Sequence, residues 1–204
     1  MPLSGIILAG GRSSRMDGRD KALLALGGAT LAARAVDRLG PQVDRLALSA
    51  NGDAARFGLA GIEVIADADD DRAGPLAGIL AGLRWASPRC EALASVAVDT
   101  PFFPPDLVRR LAAAAPPGAI AVAASAGRRH PTFALWPVGI ADALAAYLAG
   151  GGRKAGAFID AHAHVTVDFP ATHGFDPFFN VNTPADFAEA EAILRRLERA
   201  APMR

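Results

Sequence analysis

The sequence of 204 residues contains few of the features that mark disulfide-rich, nucleic-acid-binding or membrane proteins. Its one cysteine, Cys90, excludes an internal disulfide framework and a cysteine-cluster metal site, which fits a reducing cytoplasm. Lysine occurs only as Lys21 and Lys154, although lysine and arginine together number 21. The formal net charge is zero, so no general field attracts nucleic acid or anionic lipid, and any polyanion has to be held by a local site.

Long apolar runs and a basic leader segment are also missing. The longest uncharged stretch, residues 111–127, is rich in alanine and is interrupted by Pro116, Pro117 and Gly118. We therefore expect a cytoplasmic protein that binds neither nucleic acid nor a membrane. With 51% apolar and 21% charged residues, the composition predicts one compact domain over residues 1–204.

Short apolar runs alternate with helical patterns along the chain. Residues 5–9, GIILA, are apolar on both faces, as is typical of a central parallel strand covered on both sides. The other predicted strands are residues 45–50, 62–66, 93–98, 119–124, 132–136 and 165–169. The predicted helices are residues 31–39, 75–86, 104–114, 138–148 and 155–161, and a last one that begins at Pro184. This order predicts an α/β fold with three αβα layers and a mostly parallel, doubly wound, Rossmann-like sheet, whose ligands bind beyond the carboxyl ends of the strands.

The loop after the first predicted strand combines glycines with cations. Gly10 and Gly11 allow backbone N–H groups to approach a phosphate or a base closely. Arg15, Arg19 and Lys21 repel each other unless they are solvated or face an anion. The glycine spacing is neither the Rossmann G-x-G-x-x-G nor the Walker G-x-x-x-x-G-K-[ST]. An anion-binding loop and a solvated tight turn therefore both remain open.

Carboxylates follow two of the predicted strands. Asp99 ends the strand at residues 93–98, and Pro101 forces an extended exit that leaves the carboxylate at the edge of the sheet. Beside phosphates such a carboxylate needs a bridging divalent cation, for which Mg²⁺ with its preference for oxygen ligands is the natural candidate. The alternative is that Asp99 only caps the turn. Asp67 has the same strand-end position, whereas the acidic run at residues 69–71 is typical of solvated surface.

Two asparagines before the last predicted helix are further candidate binding residues, and two common catalytic motifs are missing from the sequence. Asn180 and Asn182 lie on one side of an extended segment, where they either bind a polar heterocycle or fold the turn before the last helix. The sequence contains no G-x-S-x-G elbow and no histidine pair at the i, i+4 spacing of a helical zinc site. Neither a covalent nucleophile nor a zinc centre is indicated.

Seven short motifs stand in order over almost the whole chain. They are LAGG at residues 8–11, SRM at 14–16 with GRDK at 18–21, GPLAG at 74–78, DTP at 99–101, HPT at 130–132 and NVNTP at 180–184. The ordered set resembles the molybdenum cofactor guanylyltransferases. The resemblance implies a nucleotide-diphospho-sugar-transferase-like fold. It also implies transfer of GMP from Mg-GTP to the terminal phosphate of molybdopterin, which gives the guanine dinucleotide cofactor and pyrophosphate.

The resemblance also implies roles for individual residues. The implied nucleotide-binding residues are Leu8, Ala9, Gly10, Gly11, Lys21, Asn51, Asp67 and Asp99. The implied catalytic residues are Arg15, Lys21 and Asp99, of which Asp99 is also the magnesium ligand. The implied substrate contacts are Asn180 and Asn182 to the pterin, with Arg15 and His130 to phosphate or pterin. The related cytidylyltransferases usually carry LAAG where this chain has LAGG, which favours guanine.

The implied partners are GTP and molybdopterin, together with a molybdoenzyme apoprotein or its chaperone that receives the product. Three other interpretations of the residues remain open. A cytidylyltransferase or sugar-1-phosphate nucleotidyltransferase shares the first loop and Asp99, and a non-catalytic sensor binds GTP without releasing pyrophosphate. An NAD-linked dehydrogenase is disfavoured by the glycine spacing.

Overall fold

A seven-stranded sheet with α-helices on both faces forms the centre of the protein. The computed structural model describes residues 2–10, 20–67, 74–87, 89–172 and 174–200. The strands are β1 (Leu3–Leu8), β2 (Ala25–Leu26), β3 (Ala29–Thr30), β4 (Arg45–Ser49), β5 (Glu63–Ile65), β6 (Ala92–Ala97), β7 (Ile120–Ser125), β8 (Arg128–Pro137) and β9 (His164–Asp168). The α-helices are α1 (Leu31–Leu39), α2 (Pro75–Ala86), α3 (Leu107–Ala114), α4 (Ala141–Ala149), α5 (Ala155–Asp160) and α6 (Pro184–Ala200).

The strand order of the main sheet is β5-β4-β1-β6-β8-β7-β9, and β2 and β3 form a separate hairpin. Strand β8 runs antiparallel to β6 and β7, whereas the other neighbours in the sheet are parallel. From β1 the chain proceeds to one side through β4 and β5 and then to the other side through β6. The order therefore reverses between β1 and β6, and the loops after these strands diverge to leave a crevice. The prediction of a mostly parallel, doubly wound sheet is confirmed.

Two hydrophobic clusters hold the helices against the sheet. Helices α1, α3 and α6 contribute to one cluster, and α2, α4 and α5 contribute to the other. Strand β1 serves both, because Ile7 packs in the first cluster with Leu39 while Ile6 packs in the second with Leu83. A strand buried on both faces needs apolar side chains at successive positions, which is the pattern read from residues 5–9. The predicted αβα layering is confirmed.

Local signals explain where helices begin. The Thr30 hydroxyl accepts a hydrogen bond from the Ala33 N–H at 3.1 Å and so caps α1. Gly74, before the first helical residue of α2, has φ of 60° and ψ of −150°, a conformation that is essentially restricted to glycine. Helix α3 begins at Leu107, later than predicted. The residue before a proline is kept out of the helical region, so Pro104 turns the chain and accepts from the Leu107 N–H at 3.1 Å.

Strand β8 is longer than predicted and contains a bulge. It begins at Arg128, whereas the strand predicted from the sequence begins at residue 132. One step along β7 moves the pairing partner on β8 from His130 to Ala134. Pro131 lies in the unpaired stretch, where a residue without an N–H costs no ladder hydrogen bond. The bulge changes the face on which the following side chains emerge.

Gly82 allows α2 to lie close to the sheet. A Cβ built there would lie 2.9 Å from Leu93 Cδ2 and 3.1 Å from Ile6 Cβ. Alanine gains about 1 kcal/mol of helix propensity over glycine, but overpacking costs about 1–3 kcal/mol. We expect Gly82→Ala to lower the free energy of unfolding by up to about 2 kcal/mol, measured by urea denaturation.

Gly156→Ala is the matched control, because a Cβ at this position in α5 meets no atom within 4 Å. This variant is expected to be as stable as the parent or slightly more stable. Equal stabilities of the two variants would show that α2 has room to spare against the sheet.

Within the described residues, no helix has both the length and the apolar composition needed to cross a bilayer.

Candidate functional site

A cleft of about 300 Å³ opens where the strand order reverses, at the carboxyl ends of β1 and β6. Leu8, Ala9 and Gly10 line it from the end of β1, and Asp99 lines it from the end of β6. Lys21, Thr132 and Asn180 also line it, although they are far apart in the sequence. The cleft lies where a doubly wound sheet is expected to bind its ligand.

The backbone after β1 is fixed by both neighbouring strands. The Ala9 N–H donates to the Ser49 carbonyl at 2.9 Å, and the Val98 N–H donates to the Leu8 carbonyl at 3.1 Å. Gly10 follows on the exposed side of this anchored segment. Gly11 and Arg15, the other two predicted site residues of this loop, lie outside the described residues.

Lys21 begins a short 3-10 turn whose start is fixed by Asp20. The Asp20 carboxylate accepts from the Ala22 N–H at 3.0 Å and from Arg56 Nε at 3.1 Å. These contacts leave the Lys21 side chain 19% exposed and directed toward the end of β6. Its ammonium lies 3.4 Å from Asp99 Oδ2 and 2.5 Å from Asn182 Oδ1. The structure thus brings together three predicted site residues from distant parts of the chain.

The segment at residues 180–183, which we call the strap, runs along the end of β6. The Val181 N–H donates to the Asp99 carbonyl at 2.8 Å, and the Thr100 hydroxyl donates to Asn180 Oδ1. Asn180 lines the cleft, whereas Asn182 contacts Lys21. The two amides therefore both fold the strap against the sheet and face the site, so the two interpretations of them do not exclude each other.

Asp67 and Asn51 form a polar corner beside Gly10. The Asp67 carboxylate accepts from the Ser49 hydroxyl and, at 3.5 Å, from Asn51 Nδ2, while the Asp67 N–H donates to Asn51 Oδ1 at 3.1 Å. A Cβ at Gly10 would lie 2.7 Å from Asp67 Oδ2, and one at Gly78 would lie 2.6 Å from Ser49 Oγ. These glycines leave the space that the corner occupies. The buried Ser49 was missed from the sequence, although it lies one residue before the end of a predicted strand.

His130 belongs to a cluster around Phe178. Its ring stacks on Phe178 at a centroid distance of 4.4 Å, and the bulge brings Phe133 to the same ring at 4.9 Å. His130 Nε2 lies 2.7 Å from Ser125 Oγ, which in turn lies 2.8 and 2.9 Å from the two Asp176 oxygens. A carboxylate only accepts, so the hydroxyl donates to Asp176 and Nε2–H donates to the hydroxyl. In a nucleophilic triad the imidazole stands between the other two groups, so this order is not that of an activated serine.

The environment of His130 predicts a pH effect on stability. Burial lowers the pKa of His130 below its ordinary value; Asp176 opposes this shift and Arg128 adds to it. Between the lowered pKa and about 6.5, the unfolded chain binds more protons than the folded chain, so the free energy of unfolding falls on acidification through that range. We expect the parent to lose stability relative to His130→Phe between pH 7.5 and pH 5, measured by urea denaturation. A difference in the free energy of unfolding that stays constant over this pH range would contradict the prediction.

A family model described as "MobA-like NTP transferase domain" matches residues 5–165, from β1 into β9. The chain belongs to the MobA-like NTP transferase family. It is therefore a nucleotidyltransferase, and the resemblance drawn from the ordered motifs is confirmed. This MobA-like transferase is 52% identical over 202 residues to the molybdenum cofactor guanylyltransferase of Mesorhizobium japonicum, a match that covers 96% of this chain and 97% of that protein.

Solved structures share the fold of this MobA-like transferase. The molybdopterin-guanine dinucleotide biosynthesis protein A of Archaeoglobus fulgidus has a TM-score of 0.73 at 24% identity, covering 95% of this chain and 99% of that chain. The 2-C-methyl-D-erythritol 4-phosphate cytidylyltransferase of Thermus thermophilus has a TM-score of 0.70 at 20% identity, covering 96% and 100%. Proteins named for different nucleotides thus share the architecture, so the fold alone does not select the base.

The donor groups around Asp99 decide whether a divalent cation fits this MobA-like transferase. The Asp99 side chain is 25% exposed in the cleft. Within the described part of the chain, no group of three or more histidine, cysteine, aspartate or glutamate side chains forms a metal cage. Mg²⁺ commonly takes one or two carboxylates and completes its shell with phosphate oxygens and water. One carboxylate that faces an open cleft fits that mode of binding.

Proposed function

We propose that this protein is a molybdenum cofactor guanylyltransferase. It transfers GMP from Mg-GTP to the terminal phosphate of molybdopterin and releases pyrophosphate. The observation that carries the proposal is the Lys21–Asp99 pair, 3.4 Å apart in a cleft lined by the Leu8–Gly10 backbone. The names of full-length relatives at about half identity support the choice of substrates.

The polar corner next to Gly10 is the proposed site for guanine and ribose. Guanine presents N–H donors on one edge, and a carboxylate offers two acceptor oxygens with four lone-pair positions. Asp67 uses some of these positions for Ser49 and Asn51, which fix its orientation. A preoriented acceptor costs less entropy on binding than a mobile one. The Leu8–Gly10 backbone, which hydrogen bonds from Leu8 and Ala9 to the neighbouring strands hold in place, is the proposed further contact to the nucleotide.

The proposed chemistry is in-line attack by an oxygen of the molybdopterin phosphate on the α-phosphorus of GTP. A new P–O bond forms as the bond to the β-phosphate oxygen breaks, and pyrophosphate leaves. Two anions must approach each other, so charge neutralisation and positioning dominate and no protein nucleophile is required. Lys21 neutralises phosphate charge, and Asp99 is the residue that would hold Mg²⁺. When bound, Mg²⁺ would supply further charge neutralisation at the phosphate oxygens.

The molybdopterin side of the cleft is proposed to involve Asn180, Asn182 and His130, with Arg15 as a further phosphate or pterin contact. Asn180 lines the cleft. His130 stacks on Phe178, which precedes Asn180 by two residues. We propose that the product passes in the cytoplasm to a molybdoenzyme apoprotein or its chaperone.

The test uses the purified protein with Mg²⁺, molybdopterin and GTP labelled in the α-phosphate. The expected result is a labelled guanine dinucleotide and an equal amount of pyrophosphate. Parallel reactions with labelled CTP and UTP test the base. A preference for CTP would indicate a cytidylyltransferase instead of a guanylyltransferase. GTP binding without pyrophosphate release would refute the proposed transfer of GMP.

A further inference from the structure

Asp186, in the first turn of α6, connects that helix to the strap. Its Oδ2 accepts from the Thr183 N–H at 2.8 Å, and its own N–H donates to the Thr183 hydroxyl at 3.1 Å. This exchange is a capping box, which stabilises the helix end. The same Oδ2 also accepts from the Asn182 N–H at 2.9 Å. That third bond reaches one residue further back than the capping box requires.

Two further contacts connect the Asn182–Asp186 hydrogen bond to the cleft. Asn182 Oδ1 accepts from Lys21 Nζ at 2.5 Å, and that ammonium lies 3.4 Å from Asp99 Oδ2. A lysine ammonium sits on a flexible four-carbon stem, so fixing it at one place costs side-chain entropy. A neutral amide oxygen held at a set position orients the ammonium without cancelling its charge.

We propose that Asp186 is a positioning residue for nucleotidyl transfer. By holding the backbone of Asn182, it directs the Asn182 amide oxygen toward Lys21 and keeps the Lys21 ammonium beside Asp99. The effect on turnover rests on the proposed function, whereas the effect on Lys21 in the free protein does not.

The electrostatics agree with this role. The Asn182 N–H is the largest cause of the lowered pKa of Asp186, Thr183 contributes through its hydroxyl and its N–H, and Lys21 adds its positive charge. Asp186 is therefore ionised at neutral pH and provides a strong acceptor for the two strap N–H groups.

Lysine composition makes the contact measurable. Lys21 and Lys154 are the two lysines of the chain, and Lys154 is exposed before α5. Trace acetylation of the nucleotide-free protein, read by peptide mass spectrometry, gives the ratio of Lys21 to Lys154 labelling with Lys154 as an internal reference. We expect Asp186→Ala to raise this ratio about fivefold, the factor that corresponds to roughly one net hydrogen bond.

Two further variants separate positioning from helix capping. Asp186→Asn keeps an acceptor oxygen and is expected to restore most of the parent ratio. Thr183→Ala removes the other half of the capping box and lowers the stability of the helix end, yet it leaves the Asp186–Asn182 bond and should leave the ratio unchanged. A parent-like ratio in Asp186→Ala, or an equal rise in Thr183→Ala, would overturn the inference.

Kinetics supply an independent arm. Asp186→Ala is expected to lower kcat/KM for GTP about tenfold or more, because small displacements of charged groups are costly in phosphoryl chemistry. In a Lys21→Ala background the same change should have little further effect, since Asp186 acts through Lys21. Additive losses would contradict the positioning role. Absence of guanylylated product with the parent protein would instead refute the proposed function and leave the labelling result standing.

Discussion

Asp99→Ala is expected to lower nucleotidyl transfer by about a hundredfold or more without unfolding the protein. The carboxylate is the acidic group of the cleft at the end of β6, beside the Lys21 ammonium at 3.4 Å. Removing it would take away the proposed magnesium ligand at the place where negative charge accumulates. The fold should survive, because the Asp99 carbonyl, which accepts from the Val181 N–H, is retained. Steady-state assays over a range of Mg²⁺ concentrations measure the loss.

Asp106→Ala is the matched control for this variant. Asp106 lies just before α3 and pairs with Arg109 at 2.7 Å on the surface. Its removal should leave turnover unchanged. Near-normal transfer by Asp99→Ala at saturating Mg²⁺ would show that another group binds the metal or that none is needed.

The sequence predicts the layers of the fold well because they follow from local patterns. Residues 5–9 are apolar at every position, and this pattern is typical of a strand that is covered on both faces. Thr30 and Pro184 mark helix starts by chemistry that acts within one turn. The alternation of strands and helices also predicts that ligands bind beyond the carboxyl ends of the strands, whereas the position of the crevice between β1 and β6 depends on the strand order of the folded sheet.

Other features depend on contacts between distant residues. The antiparallel direction of β8 follows from the two-residue turn at Ala126 and Gly127, both at positive φ, which joins it to β7. That β8 also pairs with β6 is set by contacts across the sheet. The bulge that brings His130 and Phe133 to one ring needs the β7 register as well as Pro131. The hairpin of β2 and β3 has two residues in each strand, too few for a periodic pattern.

The candidate site shows the same division. Lys21, Asp99 and Asn182 were identified as separate motifs, and the structure adds that they contact each other. Ser49 was missed because a buried serine at a strand end has no signature of its own. The capping role of Asp186 could be predicted from the sequence, because Thr183 followed three residues later by an acidic residue is the pattern of a capping box. The hydrogen bond from Asn182 to Asp186 could not be predicted, since it depends on how the strap meets α6.

Lys21→Ala is expected to lower kcat/KM for GTP by about a hundredfold, the scale of losing one preorganised charged donor. The ammonium is the cation of the described cleft lining, and the proposed reaction brings two phosphate groups together there. Lys21→Arg should recover part of the activity, because the charge returns but the planar guanidinium does not fit the contacts of a compact ammonium. Lys154→Ala, which removes the exposed second lysine, is the control and should behave as the parent does. If Lys21→Ala binds GTP and turns over like the parent, charge neutralisation must come from elsewhere in the first loop, and the Asn182–Lys21 contact would then serve only to fix the strap.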